Sequence, residues 1–153
     1  MNKISFKKMI LMALIFVANA EAWAQELVEI SIDAISVNNG TVATRPCPKK
    51  IQGNCPAGVP SSCMMVFTPS VFAGTLTITN NSGRTALNVT TNQDFISSYD
   101  IFQSPQTGLA SIAPHSSGTL NFYASGFPID PPIEIEVKGS NTASACFSIQ
   151  VIS

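Results

Sequence analysis

Gly74-Thr-Leu-Thr-Ile-Thr-Asn-Asn-Ser-Gly-Arg-Thr-Ala-Leu-Asn-Val-Thr-Thr91 is the stretch that commits this chain to a fold class. Leu76 and Ile78 alternate with Thr75, Thr77 and Thr79. A period of two suits a strand with one buried face and does not suit a helix. Asn81-Ser82-Gly83 breaks the run with turn residues, two of which (Asn and Gly) accept positive φ at little cost, and residues 85–91 resume it with Leu87 and Val89.

The same signal recurs on both sides. Upstream, residues 27–37 place Val28, Ile30, Ile32 and Ala34 on one face and Glu29, Ser31 and Asp33 on the other. Asn38-Asn39-Gly40 then turns the chain into a short return over 41–44, a hairpin. Residues 64–68 form a short apolar run. Downstream, residues 118–124 alternate through Leu120, Phe122 and Ala124. Ile133, Ile135 and Val137 alternate with Glu134, Glu136 and Lys138, which puts the two glutamates on an outer face. Residues 146–152 carry Phe147, Ile149 and Val151. Residues 95–96 and 99–102 are weaker strand candidates, and no amphipathic helix is evident after the N-terminal segment. Seven or eight short strands with turn signals between them predict an all-β, two-sheet sandwich, with a closed barrel as the alternative. Phe67, Phe72, Phe95, Phe102, Phe122 and Phe147 fall mostly at strand positions and are expected in the core.

The N-terminus has a different character. Lys3, Lys7 and Lys8 precede ten apolar residues, Met9 to Ala18, followed by Ala18-Asn19-Ala20 and Ala22-Trp23-Ala24. A basic start, a short apolar stretch and an A-x-A site together predict a signal peptide over 1–24. The stretch is too short to span a bilayer, which takes about 20 apolar residues. Cleavage after Ala24 fits best, with Ala20 the second choice. Residues 25–153 are then a single domain in the periplasm or outside the cell, with no membrane span of its own. It carries five basic and eight acidic groups, a net charge of −3. Nucleic acid is a poor partner for so few scattered cations.

Cys47, Cys55, Cys63 and Cys146 all lie in that domain, and an even count behind a signal peptide predicts two disulfides. Four cysteines allow three pairings. A local staple, Cys47–Cys55 or Cys55–Cys63, leaves a partner for Cys146, and Cys47–Cys55 with Cys63–Cys146 is the favoured set. C-x7-C-x7-C spacing suits neither a zinc knuckle nor a redox C-x-x-C pair. Residues 45–63 hold four prolines, which exclude a helix and a central strand, and three of the five basic groups: Arg45, Lys49 and Lys50. This Pro/Cys-rich loop and the apolar pair Phe127 and Ile129, set among prolines 128, 131 and 132, form the expected contact surface.

Residues 74–83, Leu87-Asn-Val89 and Ala113-Pro-His-Ser-Ser-Gly-Thr-Leu120 together resemble immunoglobulin-like sandwich domains of the Hydin type, found in bacterial secreted and surface proteins. The resemblance covers about half of the domain and rests on turn chemistry. It implies an immunoglobulin-like sandwich that binds or supports a partner without catalysis. Residues 45–63 and Asp130-Pro131-Pro132 depart from the pattern.

Catalytic templates are missing. The chain has one histidine, His115, and no G-x-S-x-G, H-E-x-x-H, P-loop or G-x-G-x-x-G motif. His115 in a turn, Asp94, Asp100 and Asp130 as carboxylate pairs, and Met64 or Met65 with His115 at copper are the remaining candidates. None has local support, so no catalytic residue, metal or cofactor is expected. The expectation is a non-catalytic interaction module of unknown partner. A fimbrial-type subunit donating the 28–34 strand is one alternative, although Ile152 stands where such subunits usually carry a penultimate tyrosine. A small hydrolase using His115 is another.

Overall fold

The computed structural model describes residues 26–37, 40–41, 47–48, 55 and 63–152. The expected signal peptide, Arg45, Lys49 and Lys50 lie outside the described residues. Ten strands are described: β1 Ile30–Val37, β2 Gly40–Thr41, β3 Met64–Phe67, β4 Ala73–Asn80, β5 Ala86–Thr91, β6 Ile101–Ser104, β7 Leu109–Ile112, β8 Ser117–Ala124, β9 Ile129–Lys138 and β10 Ala145–Val151. One short helix, α1, spans Gln93–Ser97. The strands form two five-stranded sheets, ordered β2-β1-β4-β8-β6 and β3-β10-β9-β5-β7.

This is an all-β, disulfide-stapled sandwich of the immunoglobulin-like kind. β1-β4-β8-β6 occupy positions A-B-E-D, and β10-β9-β5-β7 occupy G-F-C-C′. One ordering is unusual. The chain leaves β5 through α1 to β6 in the opposite sheet before returning to β7, so position D is filled before C′.

Alternation explains the core. Leu76 and Ile78 from β4, Leu120 and Phe122 from β8, and Ile101 from β6 face Met65, Phe67, Ile135, Val137, Phe147 and Ile149 from the other sheet, all essentially without solvent contact. Phe122 and Phe147 meet across the sheets, ring centroids 5.5 Å apart at 55°. Gly74 lets the sheets close, since a Cβ there would lie 2.5 Å from Met65 Sδ. Gly108 takes φ +81° in the turn before β7, where a Cβ would lie 2.5 Å from the Val89 carbonyl oxygen.

Two buried polar side chains fasten the frame. Asn80 Nδ2 donates to the carbonyls of Arg84 (2.7 Å) and Ile112 (3.0 Å), while its Oδ1 accepts from Ser82 N at 2.9 Å. Gln103 spans the open side between β6 and β5. Its Oε1 accepts from Thr91 Oγ1 at 2.6 Å and its Nε2 donates to Thr90 Oγ1 at 3.0 Å.

Several expectations change. Along β1 a bulge between Ile32 and Ala34 shifts the register, so Ile30, Ile32 and Ile35 face inward and Ala34 does not. In β5, Asn88 adopts φ 53° and breaks the alternation, turning Leu87 out while Ala86 and Val89 stay buried. The hairpin from β1 into β2 is present, with Ser36 opposite Thr41; residues 42–44 are outside the described set. Residues 95–96 belong to α1, capped by Asn92 Oδ1 accepting from Phe95 N at 3.2 Å. Strand β7 was not expected, because Leu109-Ala-Ser-Ile112 has two small residues between its apolar ends.

The favoured cysteine pairing is also corrected: the bonds are Cys47–Cys63 and Cys55–Cys146. The register gives the reason. Parallel pairing of β3 with β10 sets Met64 beside Ser148 and Met65 beside Ile149. Cys63, one residue earlier, therefore shares the inward face of Met65 and Phe147, whereas Cys146 points to the outer face with Ser148 and Glu136. The two sulfurs are on opposite sides of one sheet. Cys47 instead runs along the seam between the sheets, its N–H donating to Ile32 O at 3.2 Å while Pro48 O accepts from Cys146 N at 2.9 Å.

Candidate functional site

The outer face of the β1-β4-β8-β6 sheet is built in rows by its antiparallel register. Ala73, Tyr123 and Phe102 lie side by side on β4, β8 and β6. The next row is Ser36, Thr75, Asn121 and Ser104, then Ala34, Thr77 and Thr119, then Ser31, Thr79 and Ser117. Every one of these side chains points away from the core, because its chain neighbours Gly74, Leu76, Ile78, Leu120, Phe122, Ile101 and Gln103 point in.

Two features set this face apart. Large aromatic rings stand in water: Phe72 is 59% exposed, Phe102 57% and Tyr123 43%. Phe72 joins the aromatic end because its carbonyl accepts from Ala124 N at 3.0 Å. Apart from Ala73 and Ala34, the rest of these rows is hydroxyl and amide. Thr75 Oγ1 donates to Asn121 Oδ1 at 2.7 Å, and the hydroxyls of Thr79 and Ser117 are 2.7 Å apart. Asp33, at the β1 bulge, is the one charged side chain on these rows, and its Oδ1 accepts from Ser31 Oγ at 2.7 Å. It lies about 15 Å from the aromatic row, at about 3.3 Å per residue along β4.

A shallow groove of about 280 Å³ opens on this face, lined by Ser36, Phe72, Thr75, Asn121 and Tyr123 among others. The opposite outer face is different in kind. It carries Glu134, Glu136 and Lys138 from β9 and the disulfide-bonded Cys146 from β10.

The sites expected from sequence fare unevenly. Phe127 is 64% exposed in the β8–β9 connection, but Ile129 is only 4% exposed. β9 begins at Ile129, which pairs with Val151 and sits in the core, so it drops out of the expected surface. Asp130-Pro131-Pro132, read as loop, is strand. Phe72, Phe95 and Phe102, expected in the core, are exposed, and Phe95 packs edge-on against Tyr99 with ring centroids 5.4 Å apart. His115 lies at an exposed turn between β7 and β8 with φ 56°. Asp94, Asp100 and Asp130 sit exposed on α1, before β6 and in β9. Among the described residues no group of three His, Cys, Asp or Glu side chains could hold a metal ion. None of the described helices is long and apolar enough to cross a membrane.

Tyr123 was within reach of the sequence. If Leu120, Phe122 and Ala124 face inward, Tyr123 must face out. Phe102 was not, because 99–102 supports either phase. Two closed disulfides belong to a domain matured in an oxidising compartment. Neither a family model, nor a characterised protein, nor a solved structure matches this chain.

Proposed function

We propose that the protein is a secreted or periplasmic, non-catalytic interaction module that engages its partner through the outer face of the β1-β4-β8-β6 sheet. The observation that carries this reading is the exposed aromatic end formed by Phe72, Tyr123 and Phe102. Tyr123 and Phe102 stand on β8 and β6 and Phe72 just before β4, and rings of that size in water lose apolar area only when something covers them. The basic start, apolar stretch and Ala-x-Ala sites of residues 1–24 support export, as do the paired cysteines. A module of the Hydin type fits the same reading, since such domains bind or support partners without catalysis.

Strand donation is less well supported. β1, the segment that would be given to a neighbour, is paired along its length with β4 of its own chain. Phe72, Phe102 and Tyr123 replaced together by serine test the reading. The triple variant is expected to keep its thermal transition within a few degrees, since all three rings already face solvent. It is also expected to lose at least tenfold of the protein's association with the envelope fraction of cells that express it. Unchanged association in the folded variant contradicts the reading.

A further inference from the structure

We propose that this face binds a neutral polysaccharide, with pyranose rings stacked on Tyr123 and the neighbouring phenylalanines and sugar hydroxyls held by the Thr75–Asn121 row. The inference rests on the reading above and names the class of its partner.

The chemistry selects the ligand in three steps. An aromatic ring is negative on its face, and a pyranose presents a patch of weakly positive C–H groups on one side, so the two stack without needing charge. Tyr123 and Phe102 stand directly opposite each other on adjacent strands, and Phe72 flanks the groove on the β4 side, giving a band of rings across the sheet end. Next to that band, Ser36, Thr75, Asn121 and Ser104 supply groups that both donate and accept, which is what a sugar hydroxyl requires of its partner. With Asn121 Oδ1 occupied by Thr75, its Nδ2 has no protein partner among the described residues and is available to a ligand.

Charge decides the rest. The cations among the described residues are Arg84 and Lys138. Lys138 is on the outer face of the opposite sheet, and Arg84 follows the β4–β5 turn, at the end of β4 away from Phe72, with its guanidinium against the carbonyl of Glu26. A phosphorylated, sulfated or uronic-acid polymer finds no described counter-charge at the groove. The groove sets Ser36, Ser70, Thr75 and Asn121 beside Val71, Phe72 and Tyr123, so hydrogen-bonding and ring-stacking contacts lie side by side, as a sugar needs. The polar rows continue along the described sheet from the aromatic end, through Thr77 and Thr119 to Ser31, Thr79 and Ser117, which suits a chain better than a single sugar.

The test is native-gel affinity electrophoresis of the oxidised protein in separate gels containing hydroxyethylcellulose, xylan, glucomannan and laminarin, with polygalacturonate as the anionic polymer. At least one neutral polymer is expected to retard the protein, with little change between low and moderate salt. Tyr123→Ser is expected to weaken that retardation at least tenfold and Asn121→Ala about fivefold, whereas Tyr123→Phe stays within threefold. Leu87→Ser, on the exposed face of the other sheet, is the control and is expected to change nothing. Retardation by none of the neutral polymers, or by polygalacturonate alone, overturns the proposal, as does equal binding by Tyr123→Ser. If the polymers fail while the triple serine variant still loses envelope association, the interaction reading stands and the polysaccharide does not. If both fail, the face is not a binding surface.

Discussion

Replacing Cys55 and Cys146 together by alanine is expected to cost about 4–5 kcal/mol of stability, against about 3 kcal/mol for Cys47 and Cys63, on the chain-entropy account of cross-links. The difference follows from loop length. Cys55–Cys146 spans 91 residues of sequence and Cys47–Cys63 spans 16, so the first removes far more freedom from the unfolded chain. The folded side points the same way. Cys146 lies at the start of β10 and its N–H also donates to Pro48 O, so the long bond and this hydrogen bond tie Cys55 and Pro48 to the β3-β10-β9-β5-β7 sheet. Urea unfolding of both double variants checks this. The Cys55/Cys146 variant should also show a steeper denaturant dependence, because its unfolded chain is more expanded. An equal or reversed order of the two midpoints contradicts the account.

The second large effect is in the core. Phe122→Ala and Phe147→Ala are each expected to cost about 3–5 kcal/mol, the usual range for emptying a buried phenylalanine site. Both rings are fully buried and come from different sheets, Phe122 from β8 and Phe147 from β10. They are in contact, so the double variant should cost less than the two added together, with a coupling of about 0.5–1.5 kcal/mol for an aromatic pair. Chemical denaturation of the two single variants and the double variant measures it. Strict additivity would mean that the sheets do not interlock through this pair. For a domain of ordinary stability, about 5–15 kcal/mol, either single change removes a large share.

How much of this was legible in the sequence varies with the physics behind each feature. Strands whose residues alternate without interruption, β4, β8 and the second half of β9, could be read directly, and so could the sandwich they build. What escaped were places where one residue resets the phase. The bulge between Ile32 and Ala34 exchanges Ala34 for Ile35 in the core, and the positive φ of Asn88 turns Leu87 outward. No periodicity count detects either. The β9 start escaped because proline pairs discourage a strand reading, yet Pro131 and Pro132 are accommodated with Ile129 already buried. The disulfide pairing needed the parallel register of β3 on β10, a long-range fact. The aromatic face was half legible: Tyr123 followed from its neighbours, while Phe72 and Phe102 lie at strand ends where phase is undefined.

The sandwich is completed by its own strand β1, and the outer face of the β1-β4-β8-β6 sheet carries exposed rings. The decisive measurement is the solution mass of oxidised 25–153 compared with that of the same chain lacking 25–36. β1 supplies Ile30, Ile32 and Ile35 to the core and lies between β2 and β4, so the full domain is expected to be a monomer. The truncated chain is expected to unfold or aggregate. A ladder of oligomers that collapses to a folded monomer on truncation would contradict the account, because β1 would then be completing a neighbour's sheet.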